Sequence, residues 1–399
     1  MEHNTNTLTI DLGSSDTPSM SRNEYLTILS KWLYLEDTQA IDIIMATAIS
    51  ISLPGDPVWL FLIGPAGSSK TELLRSLKGE HIHSISSLTP QTFISGLKGI
   101  QNADLLPKLD GKLLIIKDFT SILSKKGEDQ AAIFADLREA YDGYLEKSYG
   151  SGVGTKGFQS KFGIIAAVTD AIDKYHIVHS QLGERFLKCR LRTNPKAAID
   201  RASDLAGQEE EMRRELSTAT KSVFNCYSNQ AKELVLVEVE ETIQERIKAL
   251  ADVTAKLRSE VPRDRLHKVL YHPQAEVGTR INKQLLKLGQ SLAIFYENAS
   301  VGEDEYGALL RIAKDSIPRQ RTQLVEGLYN AEPMNTKEAG DIANIPTDTA
   351  KELLEDLWML ELVDRSGDHV FEWQLAEETS ALLLESGLGT QNTLGKHEN

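Results

Sequence analysis

The sequence predicts an α/β protein built on a parallel sheet, followed by a helical region and a small helix-and-hairpin module. Three observations carry this. Apolar stretches of strand length alternate with helical segments between Val58 and Arg192, the pattern of a parallel sheet covered on both faces. The first of them, Val58 to Ile63, runs into the turn Gly64-Pro65-Ala66-Gly67-Ser68-Ser69 and then Lys70-Thr71, the strand–loop–helix context in which a Gly-rich turn holds phosphate. From about Ala197 the periodicity is that of long helices, and the last folded stretch reads helix, helix, turn, helix, hairpin, the order of a winged helix-turn-helix.

A chain of 399 residues divides into two or three domains with ample core for each. Its 44 basic and 58 acidic residues leave a net charge of −14. That excludes a wholesale nucleic-acid coat and confines any DNA contact to local basic patches. Cys189 and Cys226 are the only cysteines, so neither a disulfide framework nor a Cys-rich zinc site can be built, as in a reducing cytoplasm. The chain opens without a basic segment leading into an apolar core, and the apolar stretch from 41 to 53 is short and interrupted by Asp42, Thr47, Ser50 and Ser52. The expectation is a cytoplasmic protein without a secretory signal or a membrane span.

In chain order, residues 1–20 read as a polar, disordered tail. The stretches 24–35 and 38–51 have apolar residues at helical spacing, and Pro54-Gly55-Asp56-Pro57 turns the chain into the first strand. Residues 81–86 alternate like a short strand. Thr89-Pro90 looks like an N-cap with proline at the first helical position. Residues 113–116 read as a buried strand and 130–141 as a helix. Residues 148–157 form a Gly-rich loop or hairpin tip. Two more apolar strands are expected over 162–168 and 186–192. These segments make a nucleotide-binding core over 21–196. A helical region follows over 197–317, with helices at 208–257 and 279–299. The module spans 318–376, with helices at 336–343 and 347–360 around Asn344-Ile345-Pro346 and a hairpin turning at Arg365-Ser366-Gly367-Asp368. Residues 377–399 are expected as a tail.

The turn has a direct chemistry. Backbone N–H groups of the loop Gly64-Pro65-Ala66-Gly67-Ser68-Ser69, at the positive end of the following helix, cradle phosphate oxygens. Lys70 reaches the outer phosphates and the Thr71 hydroxyl holds Mg²⁺. Ser69 stands where G-x-x-x-x-G-K-[ST] has its second glycine, and a small residue there still lets phosphate approach. Such a site needs an acid on a neighbouring strand to organise the metal and the attacking water. The candidate is Asp118, in Ile116-Lys117-Asp118-Phe119.

These motifs resemble those of AAA+ ATPases, most closely the MCM-type replicative helicases, whose loops also carry a small non-glycine residue before the lysine. Their acidic motif runs Asp-Glu-Phe-Asp, where this chain has Lys117-Asp118-Phe119-Thr120. Ala166-Ala167-Val168-Thr169 looks like the strand ending in the polar sensor-1 residue, here Thr169. Leu182-Gly183-Glu184-Arg185-Phe186 is similar to the Ser-Arg-Phe arginine finger, with Glu184 for the serine. Thr279-Arg280, opening a helix, resembles the sensor-2 arginine. The resemblance spans roughly 54 to 321 plus the trailing module. It implies an AAA+ core with a parallel sheet, an α-helical lid and a C-terminal winged helix. It implies ATP and Mg²⁺ as cofactors and a homo-oligomeric ring, with a hexamer as one option. Arg185 would act on a neighbouring subunit's ATP, Arg280 would sense nucleotide, and the work would be that of a helicase-like or remodelling motor on DNA. The chain also looks like uncharacterised ATPases of phage and mobile elements.

The departures are specific. Lys117 occupies the place of the metal-organising Asp and Asp118 that of the catalytic Glu. In the other register Asp118 is the Mg²⁺ acid and Phe119 follows it. Either way one acid is missing, so nucleotide binding is a firmer expectation than fast hydrolysis. The family's N-terminal DNA-binding domain has no counterpart before the first strand. The helix at 347–360 carries Asp348, Glu352, Glu355 and Asp356 against Lys351. Phosphates would repel that face, which favours protein contact or weak DNA contact. A second function class follows, a low-turnover nucleotide-gated switch or assembly factor that binds protein through this module. Lys147, Lys156 and Lys161 could line a pore and touch DNA, or could decorate a solvated loop. Arg185, Lys188, Arg190 and Arg192 form a basic run on a strand. His81 and His83 share a strand face with no third ligand at useful spacing, so zinc is not expected.

Overall fold

The computed structural model describes residues 20–97, 103–150, 154–174, 185–233 and 237–389. The chain starts with α1 (Arg22–Trp32), opened by a capping box in which Ser21 and Glu24 satisfy each other's backbone N–H. It ends three residues before the expected Leu35. In α2 (Thr38–Ile49), Asp37 is the cap and nearly every residue from Ala40 onward is buried. Next come β1 (Trp59–Ile63), α3 (Lys70–Ser76), β2 (Ile82–Ile85), β3 (Leu113–Ile116), α4 (Thr120–Leu123), α5 (Gly127–Tyr141), β4 (Tyr144–Tyr149), β5 (Gly154–Gln159), β6 (Gly163–Val168) and β7 (Phe186–Arg190). One expected helix is not there. Thr89 N donates to Thr92 Oγ1, and Thr92 N to Thr89 O, so a hydroxyl takes a donor in a tight turn and no helix follows.

Five strands make one parallel sheet in the order β2-β3-β6-β1-β7. Each strand sends alternate side chains to opposite faces, and both faces are apolar. Leu60, Leu62, Leu113, Ile115, Ile165, Ala167, Leu187 and Cys189 join the cluster shared with α1, α2 and α3. Trp59, Phe61, Ile63, Leu114, Ile116, Ile164, Ala166, Val168 and Phe186 join a second cluster with α4 and α5. Aromatic rings fill this second layer. Phe61 stacks on Phe186 with centroids 3.9 Å apart, and Trp59 meets Tyr141 edge-on at 5.0 Å. β4 and β5 form an antiparallel hairpin whose tip, 151–153, lies outside the described residues.

The helical region contains α6 (Pro195–Asp204), α7 (Glu209–Glu233), α8 (Glu241–Arg258), α9 (Thr279–Tyr296) and α10 (Glu303–Ser316), with the two-residue strands β8 (Glu238–Val239) and β9 (Ser300–Val301) paired in parallel. The expected helix over 208–257 is thus two helices. The module follows: α11 (Arg319–Leu328), β10 (Met334–Asn335), α12 (Thr336–Ala343), α13 (Thr347–Met359), β11 (Val363–Ser366) and β12 (Glu372–Leu375), with the sheet order β10-β12-β11. The expected tail from 377 opens instead with α14 (Glu377–Glu385). Its Leu383 is buried, and Ser386 O accepts from Tyr306 Oη at 2.8 Å, which ties the helix to α10. The apolar cluster of the first sheet face continues through α8, α9 and α10 into Leu354, Leu357, Trp373 and Leu383. Among the described residues no helix is long and apolar enough to cross a membrane.

The outer edge of β7 would expose a row of backbone N–H groups. Here side chains take them: Lys188 N donates to Ser316 Oγ at 3.0 Å, Arg190 N to Asp315 Oδ2 at 2.8 Å, and Arg192 N to Asp37 Oδ2 at 3.0 Å. Arg311 bridges the same group. It forms a buried two-pronged pair with Asp37 and donates to Arg190 O.

Candidate functional site

In parallel α/β sheets ligands bind beyond the carboxyl ends of the strands. At this edge β1 ends in Ile63 and the chain enters the loop 64–69. Gly64 N donates to Val168 O at 3.3 Å and Leu191 N to Ile63 O at 2.8 Å, so the loop is seated between the ends of β6 and β7. A Cβ on Gly64 would lie 3.1 Å from Ser68 Oγ, which leaves room for little else. Gly67 has φ of 82° and Ser69 of 59°. The position that the phosphate-loop pattern reserves for glycine is therefore left-handed, and serine adopts it.

Lys70 points back into its own loop. Its Nζ donates to Gly64 O and Pro65 O, both at 2.6 Å, and to Ser68 Oγ at 3.1 Å. Burial pushes its pKa below the usual lysine range, while the charge of Asp170 opposes that shift. Thr71 is exposed at the first turn of α3.

Two neighbouring strands bring Thr169 and Asp118 to the same edge. Phe119 is fully buried, stacks edge-on with Phe61 at 4.8 Å, and its N–H donates to Ala167 O. This anchor holds the preceding Asp118 in solvent just beyond β3. Asp118 Oδ1 accepts from Thr120 N at 3.0 Å, leaving Oδ2 for another partner. Thr169 N donates to Thr120 Oγ1 at 3.2 Å. Thr120 thus joins the two candidates. Asp170, which sequence reasoning passed over, lies 3.6 Å from Arg190, and Arg190 also meets Asp173 at 2.8 Å. An acid directly after the polar strand-end residue was the available signal.

Arg185 and Arg280 lie elsewhere. Arg185 precedes β7 at the opposite, amino-terminal edge of the sheet. It is 8 % exposed, donates to Asp142 Oδ2 at 2.9 Å, and burial lowers its pKa. Arg280 sits in the first turn of α9 with Glu276 at 3.3 Å. Both guanidinium groups flank the Tyr141 ring, at 5.6 and 5.8 Å from its centroid. The structure therefore pairs the two arginines with each other and separates them from the loop of their own chain. Leu182, Gly183 and Glu184, the rest of the finger motif, lie outside the described residues.

Of the three lysines that could line a pore or decorate a solvated loop, Lys161 is exposed and the other two are occupied. Lys147 is bonded to Asp136 and Pro90 O, and Lys156 meets Asp104 at 3.2 Å and Ser95 O at 2.9 Å. The acidic face of α13 is occupied too. Arg263 reaches Asp356 at 2.7 Å and Glu355 at 2.9 Å, and Arg321 meets Asp356 at 3.1 Å. Part of the acidity that marked this helix for a partner is neutralised within the chain. Among the described residues no group of three or more His, Cys, Asp or Glu could hold a metal ion. Searches of the sequence against protein-family models and against curated proteins give no match.

Proposed function

We infer that the chain binds Mg-ATP in the loop 64–71 and works as an AAA+ ATPase between copies of itself. The observation that carries this is one juxtaposition. A buried lysine inside a loop with two left-handed residues ends the β1 strand, and Thr169 and Asp118 reach the same edge from the next two strands. Lys70 would exchange carbonyl acceptors for phosphate oxygens, and such charge-assisted bonds are the stronger ones. Thr71 would hold Mg²⁺, which commonly takes one or two protein ligands and fills the rest from phosphate and water. Bound there, the ion would neutralise charge on the phosphates. Asp118 would serve the metal or the attacking water, and Thr169 would position that water. Arg185 and Arg280, on the far edge, would serve a neighbour's nucleotide. Three helices and a three-stranded sheet at 319–375 support the winged-helix reading of the module.

Equilibrium binding of labelled ATP with Mg²⁺ tests the site. Lys70→Ala is expected to weaken binding roughly tenfold or more, the worth of a charged hydrogen bond. Undiminished binding in that variant sinks the assignment. What the ATPase works on has two readings. One is a helicase-like or remodelling motor on DNA. The other is a low-turnover nucleotide-gated switch. The second is favoured by Lys117 beside Asp118 in place of a second acid, and by the internal pairing of Lys147 and Lys156. Steady-state turnover with and without single-stranded DNA separates them: stimulation supports the motor, and negligible turnover unmoved by DNA supports the switch.

A further inference from the structure

Phosphoryl transfer needs one group to hold Mg²⁺ and another to orient the attacking water. β3 ends in a single carboxylate, Asp118, with Lys117 before it. A second acid reaches the same edge from β6, the strand that lies between β3 and β1. Ile63, the last residue of β1, pairs with Val168 of β6 on one side and with Arg190 of β7 on the other. The ends of β6 and β7 therefore stand two strand spacings apart, about 10 Å. Asp170 and Arg190 close that gap, with Oδ1 and Nη1 3.6 Å apart. A pair that joins the two flanking strands has to cross the end of β1, where the chain enters the loop 64–69. The Asp170 carboxylate thus stands over the base of the loop, and it is the acid whose charge acts on Lys70. Other acids at hand are committed. Glu72, beside Thr71, takes Arg75 at 2.7 Å and Arg213 at 3.0 Å. Asp173 holds Arg190 at 2.8 Å, and Asp315 accepts from Arg190 N at 2.8 Å. Asp170 differs: its side chain is 60 % exposed, and its contact with Arg190 is longer than a hydrogen bond. Arg190, fixed by Asp173, orients the Asp170 carboxylate without saturating it.

We propose, on the reading that the loop 64–71 binds Mg-ATP, that Asp170 is the acid that holds Mg²⁺ there with Thr71, leaving Asp118 to the attacking water. Asp170 lies on the loop side of β3, whereas Asp118 is one strand farther out and already commits Oδ1 to Thr120 N. Lys117 then needs no acid in its place, because the carboxylate comes from the next strand. Mg²⁺ keeps several waters and takes one or two carboxylates together with phosphate oxygens. Asp170 and Thr71 alone hold it weakly, in keeping with the lack, among the described residues, of any group of three or more His, Cys, Asp or Glu that could hold a metal ion. The metal is therefore expected to enter with the nucleotide and not ahead of it.

Equilibrium binding of labelled ATP to the full chain, titrated with Mg²⁺ and repeated in EDTA, tests it. In Asp170→Asn the Mg²⁺ concentration that half-saturates binding is expected to rise about tenfold or more. Its affinity in EDTA is expected to stay the same or improve, since a negative charge facing the phosphates is gone. Asp118→Asn, which keeps an Oδ1 acceptor for Thr120 N, is expected to slow turnover and retain the wild-type Mg²⁺ dependence of binding. An Asp170→Asn protein that titrates with Mg²⁺ like the wild type overturns the assignment, and so does a shift carried by Asp118→Asn instead. An equal loss of ATP affinity with and without Mg²⁺ in Asp170→Asn marks the residue as a structural support of the loop and overturns it too. A wild type that binds no labelled ATP in either condition removes the nucleotide reading and the assignment with it. A wild type that binds while Asp170→Asn titrates unchanged removes the assignment alone.

Discussion

Ser69 holds φ of 59° and ψ of 1° at the entrance of α3, where a Cβ meets the following carbonyl at a cost of about 1–2 kcal/mol. Strain of this kind persists where the surroundings over-determine it and clusters at functional sites. Glycine would remove the strain but adds about 0.5–1 kcal/mol of unfolded-state entropy. Ser69→Gly is therefore expected to be neutral or stabilising by up to about 1 kcal/mol, with nucleotide binding kept. Ser69→Val, β-branched in a left-handed position, is expected to destabilise by roughly 1–2 kcal/mol or more. The urea midpoints of the two variants check this, and a Val variant as stable as the Gly one would show that the position is not strained. The sequence marked position 69 as a departure from the pattern, and the backbone shows why a glycine belongs there. Asp170 was legible only as an acid directly after Thr169; its relation to Lys70 arises only when β6 and β1 lie side by side. The fate of Lys147 and Lys156 was not legible, since Asp136 and Asp104 reach them only through the packed hairpin.

At the scale of elements, β1, β3, β6 and β7 were readable as short apolar runs because both sheet faces are buried there, and the edge strand β2 was readable from its alternation. Helices were readable from periodicity, but not from a cap signal alone: at Thr89-Pro90 the Thr92 hydroxyl takes a donor in a tight turn and no helix forms. How the β7 edge is closed could not be read at all. It depends on Asp37 meeting Arg311 across 274 positions of chain. Asp37 also caps Ala40 N at 3.2 Å and accepts from Arg192 N. Removing its charge leaves the buried guanidinium only the longer ion pair to Asp315, at 3.7 Å, and Asp37→Asn is expected to destabilise by up to about 3–5 kcal/mol. Asp37→Leu/Arg311→Met, which removes both charges, is expected to cost less than the sum of its single substitutions. The pH dependence has a definite sign. Arg311 and the two backbone donors outweigh burial and hold the folded pKa of Asp37 below its unfolded value. Its contribution is fully present above about pH 4 and is lost as pH falls through the folded pKa. Burial raises the pKa of Asp315 next to it, with the opposite sign, so comparison with Asp37→Asn isolates the Asp37 share. A destabilisation by Asp37→Asn that is the same at pH 7 and at pH 3 would refute this account.

The whole molecule places its two candidate sets of groups at opposite ends of one sheet. Lys70, Thr71, Asp118 and Thr169 lie at the carboxyl edge, and Arg185 with Arg280 at the amino edge around Tyr141. Strands of five residues at about 3.3 Å each separate those edges by roughly 16 Å, too far for one arginine side chain to reach its own loop. If both sets act on one nucleotide, they come from different copies, and a head-to-tail contact is the arrangement that joins unlike faces. A mixing experiment decides this without a structure of the assembly. Lys70→Ala lacks a working loop but keeps its arginines, and Arg185→Ala has the converse defect. Each alone is expected to be inactive. Mixed in equal amounts with random assembly, about one interface in four joins an intact loop to an intact arginine in a head-to-tail contact. Turnover near a quarter of wild type is therefore expected, or the same fraction of tight nucleotide sites where turnover is too slow to follow. A mixture as inactive as its components would place Arg185 outside the site and reduce it to a structural partner of Asp142 and Tyr141.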